Sequence, residues 1–169
     1  MRGAPPGSVT IRRARADDAG SIAALVQRHV ASGTLLPRSV EFVGEHASDF
    51  LVAEVDDRVV GFVHLEEYAP SLAEVRSLVV DDAHQRRGVG AALVDAAEEL
   101  AALREYATLF AVSNNDRFFR GRGYRPRDIP ELDRERSEVS KFKGVYAKEV
   151  AVAPSRDRRA GLGEELSQQ

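Results

Sequence analysis

AEVRSLVVDDAHQRRGVGAALVDAAEELAAL, residues Ala73–Leu103, reads as a strand, a glycine-containing basic turn and a long amphipathic helix. Glu74 to Val80 ends in the run Leu78-Val79-Val80 before Asp81-Asp82, which suits a buried strand. Gln85-Arg86-Arg87-Gly88-Val89-Gly90 then sets two glycines two apart, where a backbone can adopt conformations closed to other residues and come close to a ligand. Val89, Leu93, Ala96, Ala97, Leu100 and Leu103 recur at helical spacing as an apolar stripe, with Asp95, Glu98 and Glu99 largely on the other side.

A glycine turn that opens a helix directs unpaired backbone N–H groups and the positive end of the helix dipole at one point, and such a point attracts phosphate. Arg86 and Arg87 add charge there. An ordinary strand-to-helix connection with surface arginines has the same local pattern. The P-loop string GxxxxGK[ST] is absent, and Leu93 stands where the dinucleotide fingerprint GxGxxG needs its third glycine.

Outward from this stretch, 169 residues allow one domain with a sizeable core and do not divide comfortably into two. Net charge is −3, against nucleic-acid or anionic-membrane binding. There is no cysteine, which rules out a disulfide framework or a thiol nucleophile. No apolar run has the length of a membrane span and residues 1–8 lack a signal-peptide core, so a cytoplasmic protein is expected. His29, His46, His64 and His84 lack ligand-like spacing, and no metal is expected.

Residues 1–8 read as a flexible Gly/Pro-rich start, 9–150 as a single domain and 151–169 as a disordered tail. Val9–Ala14 alternates as a strand, and Asp17 or Asp18 can cap a helix with Ile22, Leu25, Val26 and Val30 on one face, flanked by His29. Pro37 prevents a continuous helix through residues 32–39, Ser39 can cap a short helix over Val40–Ala47, and Leu35-Leu36 is either a lid or a staple. Asp49–Val55 and Arg58–Leu65 form a hairpin about Asp56-Asp57, and Tyr68–Ser71 is expected to break the sheet before the central strand. Ala107–Val112 is a further strand, Asn114 or Asn115 caps a short helix to Arg122, Gly123-Tyr124 turns into an edge strand, and Phe142–Val150 is the last strand.

Gln85-Arg86-Arg87-Gly88-Val89-Gly90 resembles the Q/R-x-x-G-x-G/A signature of the GNAT superfamily of N-acetyltransferases, and Phe118–Tyr124 (FFRGRGY) resembles its FYxxxGF segment. The resemblance extends over Val9–Val150 and implies an α/β (α+β) fold, a mixed central sheet splayed in the middle with helices on both faces. It also implies acetyl-coenzyme A as co-substrate, its pyrophosphate on the Gln85 to Gly90 amides, and a small-molecule amine as acceptor. Leu78, Val79 and Val80 would line the coenzyme, with Val80 the foremost oxyanion donor; Asn114 or Asn115 would hold the pantetheine arm or position the helix, and Phe118 and Phe119 would also contact the coenzyme. Glu74 would remove the amine proton, with Glu66 and Glu67 as weaker candidates. Phe119 stands where the family often has a proton-donating tyrosine, so the proton donor is open, and so is a non-catalytic coenzyme-binding module. A homodimer and a protein or peptide acceptor also remain open.

Within that superfamily, Gly33–Ser39, Ala73-Glu74-Val75, Leu109–Val112, Phe118–Tyr124 and Ile129-Pro130-Glu131 resemble the acetyltransferase domain of N-acetylglutamate synthases. The resemblance implies glutamate as acceptor and a place in arginine biosynthesis. Leu35, Leu36, Arg38, Lys141 and Lys143 would contact the acceptor. Lys141 replaces an arginine of that family, a point charge in place of a bidentate grip.

Overall fold

The computed structural model describes residues 5–31, 39–134, 137–138 and 143–150. Leu35, Leu36, Arg38, Lys141 and the segment 151–169 lie outside them. A seven-stranded mixed sheet is built from β1 (Thr10–Arg13), β2 (Phe50–Val55), β3 (Arg58–Ala69), β4 (Leu72–Val80), β5 (Thr108–Ser113), β6 (Arg125–Pro126) and β7 (Gly144–Glu149). Its order is β1-β2-β3-β4-β5-β7-β6. The helices are α1 (Ala19–Ala31), α2 (Val40–Glu45), α3 (Val89–Leu103) and α4 (Asp116–Gly121).

Local chemistry sets most boundaries. Ser39 caps α2, its hydroxyl accepting the Phe42 N–H at 3.0 Å, and Asn115 caps α4 by accepting from the Phe118 N–H at 3.2 Å. Asp56 and Asp57 both take positive φ in the β2–β3 turn, which short polar side chains tolerate. One expectation needs correction. Tyr68–Ser71 does not break the sheet: β3 runs to Ala69, Pro70 and Ser71 form a tight turn with Ser71 at φ +62°, and the central strand begins at Leu72 rather than Glu74.

Two apolar layers arise from the alternation of the strands. On one face α3 buries Val89, Leu93, Val94, Ala97, Leu100 and Ala101 against Val63, Leu65, Ala73, Val75, Leu109 and Ala111. On the other, α1 and α2 bury Ile22, Leu25, Val26 and Val43 against Phe50, Val52, Phe62 and Val79. Farther along that second face, Ile129 packs on Leu72, Phe110 and Ala147. Between these two clusters the face is polar.

The sheet divides at its middle. β4 pairs with β5 in parallel only at Leu72↔Thr108, Ala73↔Leu109 and Glu74↔Phe110. Beyond Glu74, β4 keeps its pairing with β3 while β5 keeps its pairing with β7 through Ser113. The two strands part there, and their facing edges are left without a strand partner.

Candidate active site

The fork is sharpened by a bulge in β4. Ser77 has φ +56°, and the register slips between Phe62↔Val79 and His64↔Arg76. Leu72, Glu74 and Arg76 therefore lie on the α1/α2 face, whereas past the extra residue Leu78 and Val80 pack with the α3 cluster. Asp81 N–H donates to Val60 O at 2.7 Å, so the alternation of an antiparallel ladder turns the N–H and C=O of Val80 to the opposite edge, into the gap. The Val80 carbonyl accepts from Gln85 Nε2 at 3.0 Å, which ties the strand end to the turn.

In that turn Arg86 is at φ +62° and Gly88 at φ +81°, with Gly88 standing as N-cap of α3. Ala92 N–H makes the bond to Gly88 O at 3.0 Å, and the amides of Val89, Gly90 and Ala91 precede any intrahelical partner. A Cβ on Gly90 would stand 3.8 Å from the Phe118 ring and 3.9 Å from Val80 Cγ2. Phe118, Val80 and the helix start thus meet at one point. Gln85, Arg86, Arg87 and Gly88 surround it, all four exposed. Free amides, a helix N-terminus and two guanidiniums fit a pyrophosphate, and the unpaired edge of β4 fits an amide-bearing arm laid along it.

Asn114 lies exposed between β5 and α4, at the open end of the fork. Phe119 faces the other way: it is 4% exposed, with Tyr124 and Tyr146 rings at 5.3 and 6.1 Å. The Tyr124 hydroxyl donates to Glu98 Oε1 at 3.0 Å; burial first, and the Glu98 carboxylate second, hold it well above its ordinary titration range. It is part of the core.

At the crotch of the fork Glu74 is 1% exposed, opposite Glu66 on one side and Phe110 on the other. Arg76 follows on the same face and donates from Nη1 to Glu66 Oε2 at 2.7 Å. His64, opposite Arg76, is 2% exposed and stacks flat on Phe50 at 4.2 Å, with the edge of Phe42 at 6.1 Å. Tyr68 flanks the far side, 5.4 Å from Phe110, its hydroxyl accepting the Asp133 N–H at 2.5 Å. Burial first, and the charges of Asp133 and Glu74 further on, raise its pKa. Glu67 pairs with Ala73 on the α3 face and is exposed, away from this cluster. Lys143 is half-buried just ahead of β7.

Sequence reasoning singled out Glu74, Glu66 and the coenzyme turn but missed His64 and Arg76. Both sit in strands whose alternation carried the signal: a histidine and an arginine at inward positions of otherwise apolar runs. Elsewhere, a cavity of about 520 Å³ lies beside α1 and the β2–β3 turn, lined by Arg12, Arg15, Arg28, Arg58, Asp18 and Glu54 among others. Arg12 is bound there between Asp18 and Glu54. Among the described residues no group of three or more His, Cys, Asp or Glu could hold a metal ion, and no helix is long and apolar enough to cross a membrane.

Residues 46–126 match the family model of the acetyltransferase (GNAT) domain. An uncharacterized N-acetyltransferase of Chlorobaculum tepidum is 34% identical over 121 residues, covering 72% of this chain and 78% of that protein. The amino-acid acetyltransferase of Mycobacterium tuberculosis is 32% identical over 117 residues, 68% of this chain and 67% of that one. The structure of N-acetylglutamate synthase from Neisseria gonorrhoeae, complexed with coenzyme A and N-acetyl-glutamate, superimposes with a TM-score of 0.75 at 27% identity. That match covers 88% of this chain but 36% of the synthase chain.

Proposed function

The chain belongs to the GNAT acetyltransferase family, an acetyl-coenzyme A-dependent N-acetyltransferase by that membership, and from this premise we propose that its acceptor is the α-amine of an amino acid, glutamate foremost. The observation that carries the reading is the fork. A single strand, β4, brings the coenzyme turn to one end and the buried Glu74 carboxylate to the other, with an unpaired amide edge between. The names of the Mycobacterium and Neisseria relatives support the amino acid and glutamate respectively.

Each step of the transfer except protonation of the leaving thiolate has a residue suited to it. The amides of Val89, Gly90 and Ala91, with Arg86 and Arg87, would hold the pyrophosphate, and the open edge of β4 would align the pantetheine arm. The gap-facing N–H of Val80, with that of Leu78, would bond the carbonyl oxygen as it gains charge. Glu74 would take the amine proton directly or through water. Phe119 has no proton to give the leaving thiolate. A thiol pKa near 8.5 makes departure without a protein donor tolerable, with water supplying the proton. Lys143, with Arg38 and Lys141, would meet the second carboxylate of an acidic acceptor.

Release of free coenzyme A from acetyl-coenzyme A, measured across a panel of amino acids and peptides, tests the reading. Turnover is expected on free amino acids, highest on glutamate. Glu74→Gln should lower kcat by roughly 10²–10⁴-fold with coenzyme affinity unchanged. Turnover on peptides alone would replace the acceptor class, and coenzyme binding without turnover on any amine would leave a binding module.

A further inference from the structure

Arg76 is the last residue on Glu74's face before the Ser77 bulge carries the strand to the other side. Two residues of strand separate their Cα atoms by about 7 Å, a span that an amino acid's amine and carboxylate can bridge between the two side chains. The Arg76 side chain is 22% exposed, in a cluster whose Glu74 and His64 are buried. It is also held in place: Glu66 engages Nη1 at 2.7 Å from the neighbouring strand, and His64 lies directly opposite, fixed by its stack on Phe50. A guanidinium is a planar fork of N–H donors matched to a carboxylate, and a pre-positioned one loses little freedom on binding.

We propose that Arg76 binds the α-carboxylate of the acceptor amino acid while Glu74, one strand repeat away, faces its amine. This rests on the amino-acid reading above and assigns the group that distinguishes an amino acid from a plain amine. The charge pattern is complementary: two carboxylates, Glu66 and Glu74, face each other in register on the amine side, and one arginine stands beside them. The competing role for Arg76 is structural, offsetting the repulsion of two like charges placed opposite on adjacent strands.

The two roles part in one experiment. Binding of glutamate and of its α-amide (isoglutamine) to the coenzyme A complex is measured by calorimetry for wild type, Arg76→Gln, Arg76→Lys and Glu66→Gln, with coenzyme affinity measured alongside. Wild type should prefer glutamate roughly 10–100-fold, the worth of a charge-assisted hydrogen-bonded pair. In Arg76→Gln that preference should collapse to near unity with coenzyme affinity unchanged. Arg76→Lys should recover part of it, while Glu66→Gln should keep it. A preference that survives in Arg76→Gln, or that collapses equally in Glu66→Gln, would overturn the assignment and leave the amino-acid reading standing. If wild type binds both ligands alike or neither, the amino-acid reading falls and Arg76 as anchor falls with it.

Discussion

A Cβ on Gly144 would stand 2.5 Å from the Tyr146 hydroxyl and 2.7 Å from its ring. Only glycine lets that phenol lie back along its own strand, stacked on Phe119 and donating to Asp116 Oδ1 at 2.9 Å. Gly144→Ala is therefore expected to displace the ring and cost about 1–3 kcal/mol in urea unfolding, as overpacking does. Asp18 carries a different liability. It accepts two hydrogen bonds from the Arg12 guanidinium, at 2.7 and 2.9 Å, and the Arg15 N–H at 2.7 Å. The Arg12 bonds foremost hold its carboxyl below the ordinary range. A depressed folded-state pKa contributes stability above the unfolded value near 3.9, and that contribution fades as pH falls toward the lower folded value. Asp18→Asn should cost about 2 kcal/mol at pH 7, with the gap from wild type narrowing below pH 4; a gap independent of pH would mean that the lost ion pair is not its cause.

At the scale of the element, α3 and its turn were the most legible part of the chain. The apolar stripe is buried at Val89, Leu93, Ala97 and Leu100 and half-buried at Ala96, but Leu103, which the spacing places in it, is 75% exposed at the end of the helix; Gly88, one of the two glycines marked in the turn, is the one with positive φ. What sequence could not supply was register. Nothing local in β4 marks Ser77 as a bulge, because serine at φ +56° is held there by the pairings with β3 before and after it, and so the change of face between Arg76 and Leu78 was invisible. Pro70-Ser71 looked like a sheet breaker because proline ends a strand, although a tight turn between antiparallel strands satisfies it as well. The insertion of β7 between β5 and β6 depends on partners far apart in sequence. Two substitutions separate the turn from the strand. Gly88→Ala adds a side chain where nothing lies within 4 Å but φ is +81°, so it should loosen the turn by about 1 kcal/mol and raise the coenzyme KM with little change in the acceptor's. Gly61→Ala drives a Cβ to 2.9 Å from the Val79 carbonyl, beside the Val80 amide, and should lower kcat as well as stability. Unchanged kcat in Gly61→Ala would remove the Val80 edge from catalysis.

The described sheet is two halves bridged on one face by α3. β1 to β4 are antiparallel to one another, β5, β7 and β6 likewise, and the halves share only the pairs from Leu72↔Thr108 to Glu74↔Phe110. The α3 cluster crosses the division, joining Leu51, Val63 and Ala73 to Leu109, Ala111 and Tyr146. Past the fork, however, the Leu78 to Val80 edge on one side and the Ala111 to Ser113 edge on the other present backbone groups with no strand to satisfy them. A pantetheine arm with its own amides is suited to fill that gap as a surrogate strand. Ligand that binds the folded chain alone stabilises it by about 2.7 kcal/mol at a hundredfold excess over Kd, a rise of roughly 5–10 °C in melting temperature for a chain of this size. The distribution of that gain is the sharper test. Hydrogen exchange with and without coenzyme A should slow at Leu78, Val80 and the β5 edge as well as at Val89 to Ala91, because one ligand closes both sides of the fork. Protection confined to the turn, with both strand edges exchanging as before, would mean that the coenzyme is held by its pyrophosphate alone and that the divided sheet does not grip it.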